Sequence, residues 1–133
     1  MRIFSLALVA FISLACGLQA ELPPSAYEDM QAKAPEHLEI EVIQISTSSD
    51  AETNAQIVEA VARVAKVYKS QTKLGVDDII RIHYKIHDRT ANEVGPGEVP
   101  LLEENHTTVA YLRPPDSGDM YSPAAGRMSF SNF

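Results

Sequence analysis

Between Ile79 and His87 apolar and basic residues alternate one for one. Ile80, Ile82, Tyr84 and Ile86 fall on one parity and Arg81, His83, Lys85 and His87 on the other. Side chains of a strand point to opposite faces in turn, so this period of two predicts a half-buried β-strand with four apolar residues inward and four bases outward. A one-residue slip would bury the bases, and each inward isoleucine is worth on the order of 1.5–3 kcal/mol, so the register of this strand is firmly set. Gly75 before it and Gly95-Pro96-Gly97 after it are turn residues.

The rest of the chain supplies partners for such a strand. Leu38 to Ile45 alternates with Leu38, Ile40 and Val42 on one face, then passes its apolar residues to the other parity at Ile43 and Ile45. A strand with a bulge near Val42 accounts for the switch. Thr107 to Arg113 reads as another strand, ended by Pro114-Pro115, and Met128 to Phe130 as a short edge strand. Asn105-His106-Thr107 marks a loop before the Thr107 strand. Near the front, Ser25 and Glu28 have capping-box spacing after Pro23-Pro24, which predicts a helix of about two turns ending at Pro35.

Gln56 to Tyr68 fits two structures. Ile57, Val61, Val64, Ala65 and Tyr68 form a helical stripe, and Ser49 and Glu52 have the spacing of a helix cap. As a strand, the same segment places Val58, Ala60, Ala62 and Val64 on one face. The helical version gives an α+β fold with residues 56–68 packed on a three-stranded sheet, suited to a small enzyme or a protease-inhibitor-like protein. The strand version gives a mainly β fold.

Export is read from the first 20 residues. Arg2 is followed by an apolar run from Ile3 to Leu14, and Leu18-Gln19-Ala20 ends in a small residue. This is the pattern of a secretory signal peptide, and the run is shorter than the roughly 20 residues needed to span a bilayer. Leu14-Ala15-Cys16-Gly17 also resembles a bacterial lipoprotein box, in which Cys16 would carry a lipid anchor. The expected location is therefore secreted or periplasmic, with a membrane-anchored lipoprotein as the alternative. The chain divides into residues 1–20 for export, 21–37 as a lead-in with a short helix, and 38–130 as one domain.

Loss of Arg2, the one charged residue before Ala20, moves the formal net charge from -7 to -8. A field of that sign repels phosphate, and a nucleic-acid-binding barrel needs a basic groove with stacking aromatics, so nucleic acid is not an expected partner. Cys16 is the only cysteine of the chain, which leaves the domain without disulfides, thiol nucleophiles or cysteine metal ligands. His83 and His87 stand four apart. On a strand that spacing is roughly 13 Å, too far for one metal ion. No Gly-x-Ser-x-Gly elbow or phosphate-cradling loop is present. The expectation is a non-enzymatic protein without a cofactor.

Several segments together resemble a known family. They are Ala60 through Val67, Leu74-Gly75-Val76-Asp77-Asp78-Ile79 leading into Ile82 and Tyr84, Gly95-Pro96, Val99-Pro100-Leu101-Leu102, Ala110-Tyr111-Leu112, and Tyr121-Ser122-Pro123-Ala124-Ala125-Gly126. They look like the OB-type barrel of netrin-like and metalloprotease-inhibitor-like (TIMP-like) domains, over about residues 38 to 130. The resemblance implies a five-stranded, partly open Greek-key barrel with Leu38 to Ile45, Gln56 to Ser70 and Asp78 to His87 as its first three strands. It thus selects strand over helix for Gln56 to Ser70. Inhibitors of that family chelate zinc through a mature N-terminal cysteine, whereas the expected mature start here is Glu21.

The outward stripe Arg81, His83, Lys85 and His87 is the candidate ligand surface. It gathers bases on one face of an acidic domain, and OB barrels bind across the face of their second and third strands. An anionic sugar, an acidic peptide or an extracytoplasmic partner protein would suit it, more strongly at a pH where histidines charge, below about 6.5. The competing reading is an ordinary solvated face, paired across strands with acids such as Glu59.

Overall fold

The computed structural model describes residues 22–87 and 98–130. The expected signal peptide over residues 1–20, the lipidation candidate Cys16 and the expected turn at Gly95-Pro96-Gly97 lie outside the described residues. Helix α1 (Pro24–Lys33) precedes strands β1 (Glu36–Ser49), β2 (Gln56–Ser70), β3 (Ile79–Ile86), β4 (Thr107–Arg113) and β5 (Met120–Pro123), and a 3-10 turn over Gly126–Met128 follows.

The five strands close into a barrel in the order β1-β2-β3-β5-β4. All neighbours are antiparallel except β3 and β5, which run parallel through Arg81 opposite Met120 and Ile82 opposite Tyr121. This is an all-β, OB-like barrel, closed rather than partly open, and the α+β alternative falls because Gln56 to Ser70 is strand throughout. The choice is made by pairing. β2 lies against β1 over its whole length and against β3 over Gln56 to Arg63, contacts that a helix with the same alanines would forfeit.

Leu38, Ile40 and Val42 of β1, Val58, Ala60, Ala62 and Val64 of β2, and Ile80, Ile82 and Tyr84 of β3 fill the interior with Leu112, Tyr121 and Phe130. Alanines at two of the β2 positions suit the taper of a small barrel, where large side chains from every strand would collide. Tyr84 is buried yet satisfied: its hydroxyl donates to Pro100 O at 2.9 Å and accepts from Leu102 N at 3.1 Å. Burial pushes its phenol pKa up, against the Leu102 N–H, which lowers it. The parity switch in β1 is a bulge, because Val42 faces Ala62 and Gln44 faces Val61, leaving Ile43 as the extra residue.

Two local expectations are corrected. α1 starts at Pro24 with Pro23 as N-cap and no side-chain cap, so Ser25 lies inside the helix and no capping box forms. A proline at the first helical position needs no N–H and already has the helical φ. The fifth strand is Met120–Pro123, not Met128 to Phe130. There the chain turns at Gly126 (φ 52°), with Ser129 N–H donating to Gly126 O and Ser129 Oγ accepting from Ala125 N–H. Those bonds curl the segment onto itself. α1 and this turn cover the outer side of β4, where Ala34, Tyr111, Ala124 and Ala125 form a small second core. Gln31 Nε2 donates to Met128 O at 2.9 Å across that junction.

Candidate functional site

The turn between β1 and β2 brings the first acid to the basic stripe. Asn54 adopts φ 56° and donates its N–H to Asp50 O, while Asp50 N–H donates to Ala55 O at 2.8 Å. Asparagine tolerates the left-handed region better than most residues. The Asp50 side chain accepts from Glu52 N–H at 3.0 Å through one oxygen and from Lys85 Nζ at 3.1 Å through the other. The Glu52 N–H and then the Lys85 ammonium hold its carboxyl pKa below the usual value.

The second acid comes from the connection between β4 and β5. Asp119 lies 3.8 Å from the Arg81 guanidinium, and Glu59 of β2 lies 4.0 Å from it on the other side. His83 is half-buried and faces Glu59 in the β2–β3 register. His87 follows the last residue of β3 and is exposed, with its backbone N–H donating to Glu98 Oε2 at 3.2 Å. The structure therefore places Arg81, His83 and Lys85 on one outward face and His87 at its end. A small cleft of about 130 Å³ adjoins Arg81, lined also by Gln44, Ser46, Glu59, Val61 and Met120.

Each base of this face that carries a permanent charge has a carboxylate near it. The Arg81 pairs with Glu59 and Asp119 join exposed side chains and are worth about 0–1 kcal/mol each, whereas Asp50, 20 % exposed, is held more closely to Lys85. Among the described residues no three His, Cys, Asp or Glu side chains come together to hold a metal ion.

Two polar groupings were not foreseen from the sequence. On the outside of the barrel the His37 ring is stacked between Tyr68, 4.6 Å away, and Tyr111, 4.4 Å away. Lys66 Nζ stands 5.0 Å over the Tyr68 ring. Burial first, and the Lys69 charge second, lower the His37 pKa. Inside, Glu36 is fully buried and its Oε1 accepts from both the N–H and the hydroxyl of Thr72 at 2.9 Å. The Thr72 hydroxyl has a single proton and gives it to Glu36, so the Tyr121 hydroxyl 2.8 Å away donates to Thr72. Glu36 Oε2 has no hydrogen-bond partner. A glutamate in step with Leu38 and Ile40 was the available signal, since it sits on the inward parity.

In comparisons with family models, with curated proteins and with solved structures, nothing matches this chain.

Proposed function

We propose that the chain is an exported, non-enzymatic binding module that holds an anionic ligand across the outward side of β2 and β3 through Arg81, His83, Lys85 and His87. The observation that carries this reading is the bracketing of β3: the β1–β2 turn reaches it through Asp50 and the β4–β5 connection through Asp119. Those are the two loops that flank the ligand face in barrels of this type. Asp119 rests weakly on Arg81 from an exposed loop, so an incoming sulfate or carboxylate replaces it at little cost. The apolar run ahead of Ala20 supports export, and the netrin-like resemblance supports a module that works by contact.

The test expresses the full chain, reads the N-terminus of the exported product by mass spectrometry, and titrates that product with a sulfated heparin oligosaccharide and with an acidic peptide. An unmodified start at Glu21 is expected; an acylated Cys16 would make the module membrane-anchored. Charge reversal at Arg81 and Lys85 together is expected to weaken binding at least about tenfold, roughly 1.4 kcal/mol, with the unfolding midpoint unchanged. Equal binding by wild type and variant would sink the assignment.

A further inference from the structure

Hydrogen-bond parity along β1 decides which of its backbone groups are left over. Asp50 and Ala55 are a bonded pair at the turn, and the register continues as Ser49 opposite Gln56, Ser48 opposite Ile57, Thr47 opposite Val58, Ser46 opposite Glu59 and Ile45 opposite Ala60. Antiparallel pairs alternate between bonded and non-bonded. Ser48 and Ser46 therefore bond to β2, while Ser49, Thr47 and Ile45 direct their N–H and C=O groups away from it.

On that other side β4 accompanies β1 only as far as Glu41 opposite Thr107, and Val42 then bonds to Asn105 and His106. Past the bulge, Ile45 N–H donates to Glu104 Oε1 at 3.0 Å. Among the described residues nothing pairs with the backbone of Thr47 or Ser49 on this side, and residues 46–49 are all exposed. The barrel thus closes at one end of β1 and leaves an open strand edge at the other. Open edges are ordinarily guarded by lysine, proline or an inward charge. Gln44-Ile45-Ser46-Thr47-Ser48-Ser49 has none of these, although acids frame it: Glu103 and Glu104 at one end, Glu52 at the other.

We propose that this edge accepts an extended peptide segment of a partner protein by strand addition, and that the segment is uncharged and β-prone in its middle and basic at its ends. Main-chain bonds to Thr47 and Ser49 supply the affinity, and the framing acids select the charge of the occupant. A second copy of this chain fits poorly. Antiparallel pairing of two such edges about Thr47 sets Ile45 opposite Ser49 of the other copy, which brings Glu104 towards the other copy's Glu52 at both ends, between molecules that each carry a net charge of -7. The open backbone edge lies on the side of β1 away from β2 and β3, so the proposal does not rest on what binds the basic face of β3.

The probe is the capped peptide Lys-Thr-Val-Thr-Val-Lys, with Glu-Thr-Val-Thr-Val-Glu as its charge-reversed twin, followed by amide hydrogen exchange on the full chain. The basic peptide is expected to slow exchange at the Thr47 and Ser49 N–H groups about tenfold or more, and the acidic twin to leave it unchanged. Thr47→Pro removes the outward N–H at an edge position where proline is tolerated, and is expected to abolish the response. The double variant Glu52→Lys/Glu104→Lys is expected to exchange the preference of the two peptides, and keeps the test alive if the proline variant does not fold. No protection by the basic peptide, equal protection by both peptides, or an undiminished response in a folded Thr47→Pro would each overturn the proposal. A homodimer that Thr47→Pro dissolves would overturn it in favour of self-pairing.

Discussion

The first half of β1, Glu36 to Val42, and its second half, Gln44 to Ser49, belong to one strand and differ in nearly everything a side chain experiences. In the first half β2 lies on one side and β4 on the other, and Glu36, Leu38, Ile40 and Val42 are fully buried. In the second half β2 is the one strand paired with it among the described residues, and Ile45 is the one residue packed against the core. The divide is a single inserted residue, Ile43. A bulge reverses parity and increases twist, so one residue suffices to turn a strand from a barrel wall into an exposed ribbon. The lesson is that closure of a barrel is a property of segments, and a strand can take part in it over half its length.

The contrast is broken or sharpened first by truncating the core. Ile40→Ala is expected to lower the unfolding free energy by about 2–5 kcal/mol, because the site lies between two neighbouring strands and cannot collapse. Thr47→Ala, seven residues along the same strand, is expected to change it by less than about 0.5 kcal/mol. Urea titrations of the two variants check this, and similar losses would mean that the two halves are equally integral.

A smaller effect is expected inside the first half at Glu36. Glu36→Ala removes the acceptor of the Thr72 N–H and hydroxyl and is expected to cost about 1–3 kcal/mol in the same titration. Glu36→Gln retains an acceptor for Thr72 and the shape of the side chain, so it is expected to lose less than the alanine variant. If the two are equal, the hydrogen bonds from Thr72 contribute nothing beyond packing.

The smallest effect concerns His37, on the outward parity of the same half. Its folded pKa is lowered by burial between two tyrosines and by Lys69. The unfolded chain then binds a proton more readily than the folded one. Stability is full above the ordinary histidine pKa of about 6.5, and is lost as pH falls from there to the lower folded pKa. Thermal melts of wild type and His37→Gln between about pH 7.5 and 5 are expected to differ in slope across that window, with the variant flatter. Parallel curves would show that the stacked ring titrates as it does in the unfolded chain.

Legibility in the sequence followed the range of the interactions. β3 was readable because its pattern is local: four isoleucine or tyrosine positions against four bases leave one register. The bulge in β1 was readable for the same reason, since Ile43 and Ile45 betray the change of parity within the strand. β2 was not decided by its own residues, because alanine and valine satisfy both periods, and only pairing with β1 and β3 distinguishes them. β5 escaped notice: four residues ending in proline carry no periodicity, and its partner Ile82 lies far back in the chain. The bases of the candidate face were legible for the same reason as β3. The loop acids that rest on them were not, since Asp50 and Asp119 meet β3 only after the two loops have folded over it. The buried carboxylate of Glu36 was visible as a glutamate on an apolar parity, but its partner Thr72 was not.

The parallel contact between β3 and β5 has a consequence for how the molecule comes to be folded. β1, β2 and β3 follow one another as antiparallel neighbours, joined by connections of six and eight residues, and contacts of that kind form early. Among the described residues the seam between β3 and β4 is filled by Met120–Pro123, and those residues are synthesised after the other four strands. Until they have been made and have found Arg81 and Ile82, the growing chain is an open sheet with the inner faces of Ile80 and Ile82 uncovered. Chains with sheet surface uncovered during synthesis are the ones that aggregate or need holding. Four residues therefore set the length of time for which this protein is vulnerable.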